Sequence, residues 1–576
     1  MTGEFAADKR PAAAARPLGL YAILILAAGA AILALPLLLY GAYPQAHDFQ
    51  EHLNFSRHFS EQFWAGEWYP RWLIGINHGL GSPTFFVFPP LQAFVYAILE
   101  PLSNALHLDA FLSVEVLVLF ASGVCAFLWL QTHTGRRIAI AGAVFYMLVP
   151  YHLMVDFYMR NALPECWALA WIPLLLYFTS KIMGGKRAAV VSFAVVYALF
   201  ILSHLISVLI FSPIPLIIAV TLPAKGQRLR SVRKVVEGIL LGTGLSSFYL
   251  IPALSNARNF PPERLSPPPS QTLNLFLIGA RSTFLASGFF RVMAIAAVDA
   301  IAVCAICGAA VLVSGRQDSK RIVLFWLAVC AVPSLMMFCL SAPVWRSIPI
   351  LLAAVQYPFR LNIILCVAAV AIVTIFLSEA VRTTPFMSGI GPLILLVAVP
   401  WLFSYAMVWV NYRQQANPRT ALAIHEKGPF DDDGWFHSWT PPGMDPASAL
   451  RASMGSRVRF IGGVGTANVI AWMPRHIELE TASSTGGQVM VNQFYYPAWQ
   501  TALVPSAQPL VTRAAMPEGL IEVEVPPGQE HVRLDIPVEP GEYSGRAISA
   551  VCVLLCVFLA WRMKRDGRAG ECSNTR

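Results

Sequence analysis

Charge is what this chain has least of. Only 13% of its 576 residues are Asp, Glu, Lys or Arg, while 56% are hydrophobic, a balance that excludes a soluble enzyme with a fully solvated surface. What remains is a polytopic membrane protein. The sequence also lacks a phosphate-cradling Gly-rich loop ending in Lys and Ser or Thr, which argues against ATP-driven transport and favours a substrate activated before it arrives. Cysteine is absent between residues 411 and 545, and Cys125, Cys304, Cys307, Cys330, Cys339, Cys366, Cys552 and Cys556 lie in apolar runs. There Cys packs as a small hydrophobe, so neither a disulfide framework nor a zinc site is expected. The Cys304 and Cys307 pair sits among Ala, Ile and Val, and redox use is not expected of it.

About thirteen runs are apolar and long enough to cross roughly 30 Å of hydrocarbon, among them 18–40, 84–99, 110–130, 138–154, 357–377 and 548–561. The first is too long, and too poor in a small-residue cleavage site, for a removable signal peptide; it reads as a retained signal anchor. Lys and Arg cluster at 9–16, 136–137, 181–187, 225–234, 316–321 and 562–568. Placing all of them in the cytoplasm puts the loop around Asp48 outside, with 156–162, 255–287 and 411–545. One parity conflict arises, because two runs, 84–99 and 110–130, separate the Asp48 loop from Arg136 where an odd number is required. Either the segment around Pro89 and Pro90 is re-entrant, or Arg136 and Arg137 lie outside.

The net charge of +9 does not point to nucleic acid. Residues 411–545 carry nine Lys and Arg against fourteen Asp and Glu, so the basic excess belongs to membrane-flanking loops, where it meets anionic lipid. In 411–545 long apolar runs give way to segments of period two, such as LIEVEV from Leu520 followed by HVRLDI from His531, and QVMVNQFYYPAW from Gln488. These read as half-buried strands with Pro and Gly turns. The expected architecture is a polytopic α-helical membrane domain over 1–410, of about 12–14 transmembrane helices, with an external β-sandwich over 411–545 and a last span with a basic tail over 546–576. Asp431, Asp432 and Asp433 read as a solvated turn, and Trp435, Trp439 and Trp499 as core residues more than as a sugar platform.

The chemistry concentrates in the first external loop, 41–83. Asp48, Glu51 and His52 stand at i, i+3 and i+4, one face of a helix. That face can bind a divalent ion such as Mg or Mn, present Asp48 as a general base, or simply cap the helix through Asp48. Further ionisable groups stand at span ends of the same side: Arg160 and Glu165, His204, and Arg360 after Gln356. Charges so close to hydrocarbon need a partner or a wet cavity. Arg360, Arg160 and Arg71 suit a phosphate, since guanidinium forks pair bidentately with its oxygens. His47 and Tyr69 accompany them, and His204 alone reads as a hydrogen-bonded packing residue.

YPRW at 69–72, GLGSP at 79–83, FPPL at 88–91, RNALPE from Arg160, FYLIPAL at 248–254 and QYPFR from Gln356 together resemble the bacterial membrane family described as 6-pyruvoyl-tetrahydropterin synthase-related. FYYPAW followed by GLIEVEVPPG resembles the external domain of YfhO-type proteins. Such proteins resemble the GT-C glycosyltransferase superfamily. The resemblance implies a polyprenyl-phosphate-sugar donor, an acidic residue in the first external loop matching Asp48, and an envelope glycan, lipid or protein acceptor, in the bacterial inner membrane with the C-terminal domain extracytoplasmic. On that reading Asp48 deprotonates the acceptor and Arg360, Arg160 or Arg71 stabilises the departing phosphate. A lipid-linked sugar flippase or exporter, and a non-catalytic envelope-assembly protein, are the alternatives.

Overall fold

The computed structural model describes residues 19–40, 46–260, 273, 277–279, 288–383, 399–410 and 439–573. Seven of its helices are long and apolar enough to span a membrane: Ala110–Leu130, Arg136–Arg160, Leu163–Met183, Gly288–Ser314, Gln317–Met337, Pro358–Arg382 and Pro540–Met563. A bent pair, Lys225–Leu245 and Ser247–Asn259, meets at 71°. That gives seven crossings among the described residues, or eight if the bent pair is one span, besides the shorter apolar helices Leu20–Leu33, Ala188–Ser203, Leu205–Thr221 and Val399–Val410. These sequences are helical because hydrocarbon offers the backbone no partner except itself. Burial sorts them: 94% of the apolar window of Pro358–Arg382 is inside the protein, against 17% for Pro540–Met563. The first is therefore the central helix of the bundle, and the second presents most of its surface to lipid.

The run 84–99 is not a crossing, which corrects the sequence reading. Pro89 and Pro90 break it, since each lacks an N–H and the first restrains the residue before it. Thr84–Val87 is one turn, and Leu91–Ala105 is a separate helix carrying Glu100 and Pro101. That second helix packs on Phe49–Trp64, where Phe59 meets Phe94 at 4.9 Å and the Trp64 Nε1–H donates to the Ala97 carbonyl at 2.9 Å. With Ala110–Leu130 as the one full-length span between the Asp48 loop and Arg136, the parity conflict disappears. Among the described residues, the basic clusters at 136–137, 181–187, 225–234 and 316–321 and Arg562 stand at the helix ends away from the Asp48 loop.

The C-terminal domain is two four-stranded antiparallel sheets. One has the order β1 (Val458–Gly462), β4 (Gly487–Phe494), β7 (Leu520–Val525), β6 (Thr512–Ala515). The other has β2 (Gly465–Met473), β3 (His476–Ser483), β8 (Gly528–Asp535), β5 (Gln500–Val504). Ile477, Leu479, Val532 and Leu534 from one sheet and Val489, Val491, Ile521 and Val523 from the other share a single core. The alternation over 520–536 thus marks two neighbouring strands in sequence that pack in opposite sheets. The last helix starts at Pro540, a few residues before the expected boundary. Trp439 and Trp499 are buried in this core, while Asp431, Asp432, Asp433 and Trp435 lie outside the described residues.

The first loop clasps this domain. The Phe494 N–H donates to the Leu80 carbonyl at 2.6 Å, and the Trp72 Nε1–H donates to Gln493 Oε1 at 2.8 Å. Gly81, at φ +78°, sits where a Cβ would lie 2.7 Å from the Trp72 ring. Only glycine permits both that backbone angle and that approach.

Candidate functional site

Asp48 stands immediately before the Phe49–Trp64 helix, at the position from which a carboxylate usually accepts from the first turn, yet it makes no such bond. The backbone explains its placement: the N–H groups of His47 and Asp48 donate to the carbonyls of Met159 and Arg160 at 3.2 and 2.8 Å. This short bridge ties the first loop to the end of the Arg136–Arg160 helix. That helix widens into π-type turns over Tyr151–Arg160 and stops at Asn161, which is left-handed at φ 53°. Such widened turns concentrate at functional sites. The result carries Arg160 beside Asp48, with Nη2 to Oδ2 at 3.5 Å.

A cavity of about 270 Å3 opens there, lined by Asp48, Glu51, His52, Arg160, Glu165, His204, Gln356 and Arg360. Eight positions singled out in the sequence therefore converge, from segments more than 300 residues apart. Phe88 and Pro89 of the FPPL motif, with Leu205 and Ile206, supply apolar wall. The volume lies near the lower end of the roughly 300–1,000 Å3 usual for ligand pockets, a size for a headgroup and not for a long chain.

Two guanidinium groups share this space in unlike states. Arg160 is ringed by carboxylates: its Nη1 donates to Asp156 Oδ1 at 2.6 Å and to Glu165 Oε2 at 2.8 Å, besides facing Asp48. Its charge is spent inside the protein. Arg360 is just as buried, but its Nη1 donates to the neutral Gln356 Oε1 at 2.9 Å, and its Nε–H has no hydrogen-bond partner. A buried donor left so is costly unless a ligand meets it. Gln356 sits at φ 62° and ψ −52°, with the Tyr357 N–H donating back to the Val355 carbonyl at 2.7 Å. This is a strained three-residue turn, of a kind that concentrates at ligand clamps. The stacked rings of Tyr357 and Phe359 carry the two arginines, Tyr357 under Arg360 at 5.4 Å and Phe359 under Arg160 at 5.5 Å.

The remaining members are held by second partners. Glu165 accepts from the Tyr151 hydroxyl at 2.8 Å, and His204 shares a hydrogen bond with Ser207 Oγ at 2.7 Å. His52 is buried against Phe55 and Phe88, and burial pushes its pKa down to about 4 despite the opposing charge of Asp48. It is neutral at physiological pH. Asp48, Glu51 and His52 share the cavity wall without forming a metal cluster: among the described residues no three His, Cys, Asp or Glu side chains are grouped to hold an ion.

Three expected members lie elsewhere. Arg71 does not reach the cavity; its Nε faces Glu542 at 3.0 Å, and its Nη2 donates to the Phe248 carbonyl at 2.8 Å. Glu542, fully buried in the last helix, also binds Arg475 of β-domain residues at 2.9 Å. Arg71 is thus a link of the interdomain clasp, where the sequence reading gave it a phosphate. Tyr69 lies under the Arg71 guanidinium at 4.2 Å and donates its hydroxyl to the Phe85 carbonyl. His47 packs on Phe289 at 4.2 Å. One group escaped the sequence reading: Glu115, fully buried, accepts from Asn161 Nδ2 at 2.5 Å and so holds the turn that positions Arg160. Its signal was a lone carboxylate in an otherwise apolar run.

No curated protein matches the chain in sequence. Among solved structures it is similar to the arabinofuranosyltransferase AftD from Mycobacteria, with 16% identity and a TM-score of 0.40, over 67% of this chain and 28% of that one. The chain therefore spans under a third of the length of that protein. The family described as 6-pyruvoyl-tetrahydropterin synthase related domain, a membrane-protein family, matches residues 85–413, more than half of the chain, and the chain belongs to it.

Proposed function

We propose that the chain is a membrane glycosyltransferase of the GT-C type, which moves a sugar from a polyprenyl-phosphate donor to an envelope glycan, lipid or protein acceptor. The observation that carries this reading is the juxtaposition, in one cavity, of an uncapped Asp48 and an Arg360 with an unmet donor. In the proposed step the acceptor hydroxyl gives its proton to Asp48 and its oxygen attacks the anomeric carbon. The bond from that carbon to the phosphate oxygen breaks, and the electron pair leaves with the polyprenyl phosphate, against Arg360. Displacement from the opposite face inverts the anomeric centre.

Arg160 has a different part. Its contact with Asp48 orients the carboxylate, while Asp156 and Glu165 balance its charge, so that Asp48 is left as a proton acceptor and is not locked in a tight ion pair. Glu51, Gln356 and His204 line the wall available to the sugar. No step runs through a metal ion. In this reading the cavity and the β domain lie on the extracytoplasmic side of a bacterial inner membrane, which the positive-inside pattern supports, the side on which a lipid-linked donor arrives already activated. The β domain would guide the acceptor.

The test is genetic and chemical together. Deletion should remove a sugar from envelope glycolipids or polysaccharide measured by mass spectrometry; wild-type chain should restore it, and Asp48→Asn at equal membrane level should not. Restoration by Asp48→Asn would overturn the mechanism, and an unchanged envelope after deletion would overturn the activity.

A further inference from the structure

A second cavity, of about 790 Å3, opens at the other end of the Ala188–Ser203 helix from His204. Sixteen helical residues place the two roughly 24 Å apart, across the thickness of the bundle. Its walls come from three elements: the start of Ala188–Ser203, the start of Arg228–Leu245 and the end of the last helix.

Five cations line it, Arg187, Arg230, Arg233, Lys234 and Arg562, against one carboxylate, Glu237. Glu237 is already taken by Arg233 at 2.9 Å and Lys234 at 2.6 Å. Among the described residues, Arg187, Arg230 and Arg562 have no carboxylate partner. Their position makes this harder to explain as a solvated face. Two helices begin here, and the positive end of a helix dipole disfavours Arg and Lys in its first turns. Like charges gathered against two positive helix ends are stabilised by an anion. Val190, Val191, Leu559 and Met563 line the same space, which suits an anion that carries hydrocarbon.

We propose that this cavity binds an anionic phospholipid of the leaflet opposite to the Asp48 cavity, its phosphate among Arg187, Arg230 and Arg562 and its acyl chains on the apolar wall. Bound there, the lipid adds a contact at the exposed end of the last helix, beyond the packing its first half makes on Ser247–Asn256. This site does not rest on the catalytic reading, and activity is not needed to test it.

The test uses the full chain purified in neutral detergent, with thermal denaturation followed during titration with phosphatidylglycerol, phosphatidylcholine or inorganic pyrophosphate. Phosphatidylglycerol should raise the midpoint, and the other two should not. The triple variant Arg187→Gln, Arg230→Gln, Arg562→Gln replaces three exposed residues and should bind phosphatidylglycerol roughly a hundredfold more weakly. Arg136→Gln with Arg137→Gln, a basic pair of the same membrane face outside the cavity, should leave binding unchanged. Equal stabilisation by phosphatidylcholine, equal stabilisation by pyrophosphate, or equal loss in the Arg136 and Arg137 variant would each overturn the proposal.

Discussion

Asp48 begins the Phe49–Trp64 helix, yet its carboxylate turns away from the helix and faces Arg160 at 3.5 Å. A residue at this position can serve the helix or the cavity, and here the side chain serves the cavity. The distance is long for an ion pair, and Asp48 remains a third exposed, so the contact orients the carboxylate without neutralising it.

Asp48→Asn accordingly separates stability from turnover. With no capping bond to lose, and only a long contact to an Arg160 that keeps Asp156 and Glu165, the melting free energy should change by about 1 kcal/mol or less. As the proposed base, the same change should lower transfer by about 100-fold or more with donor binding retained. A near wild-type rate in stable Asp48→Asn protein would remove Asp48 from the chemistry.

Arg360→Lys keeps the charge and removes the planar fork that a phosphate engages through two N–H groups. Donor affinity measured by binding of a radiolabelled polyprenyl-phosphate sugar should fall, while the fold persists because Lys keeps the charge facing Glu165 and gives up one hydrogen bond to Gln356 and the contact with the Tyr357 ring. Unchanged donor affinity in both Arg360→Lys and Arg360→Ala would exclude it from the site.

Arg71→Met should act on the opposite side of the ledger. It removes one of three guanidinium partners of the fully buried Glu542 and leaves Arg475 at 2.9 Å and Arg546 at 3.4 Å, so the destabilisation should be clear but stay below the roughly 3–5 kcal/mol of a buried charge left wholly unpaired. Loosening should appear first between the first loop and the β domain, as faster proteolysis of residues beyond 439. Weakened donor binding with unaltered stability would instead return Arg71 to a phosphate role.

His52 makes stability depend on acid. Its folded pKa, about 4, lies below the unfolded value of 6.5, so between these limits the unfolded chain binds the extra proton. The stability is whole above pH 6.5, falls as pH drops towards 4, and levels below it. The loss attributable to this group is at most roughly 3 kcal/mol. In detergent, His52→Gln should flatten that part of the melting curve against pH relative to wild type; an identical pH profile would show that His52 is not the group.

The sequence by itself determined the class of the protein, a polytopic helical membrane protein with a β-rich domain, and nominated candidates for a site. Hydropathy is a local property, so most of the long apolar helices and the β-rich region could be read directly, and charges stranded at span ends drew attention to Asp48, Arg160, Glu165, His204 and Arg360. The tertiary structure decided which of them meet. Arg71 and Arg360 are alike in sequence terms, each an arginine beside an aromatic residue near a membrane face. Only packing sends one to Glu542 in the last helix and leaves the other with an unmet donor in a cavity. In the same way Asp48 offered capping and catalysis equally, because both need a carboxylate before a helix. The side chain makes no cap bond and faces Arg160 because of the backbone bridge from His47 and Asp48 to Met159 and Arg160, a contact between segments over a hundred residues apart, and no local pattern encodes a partner at that distance.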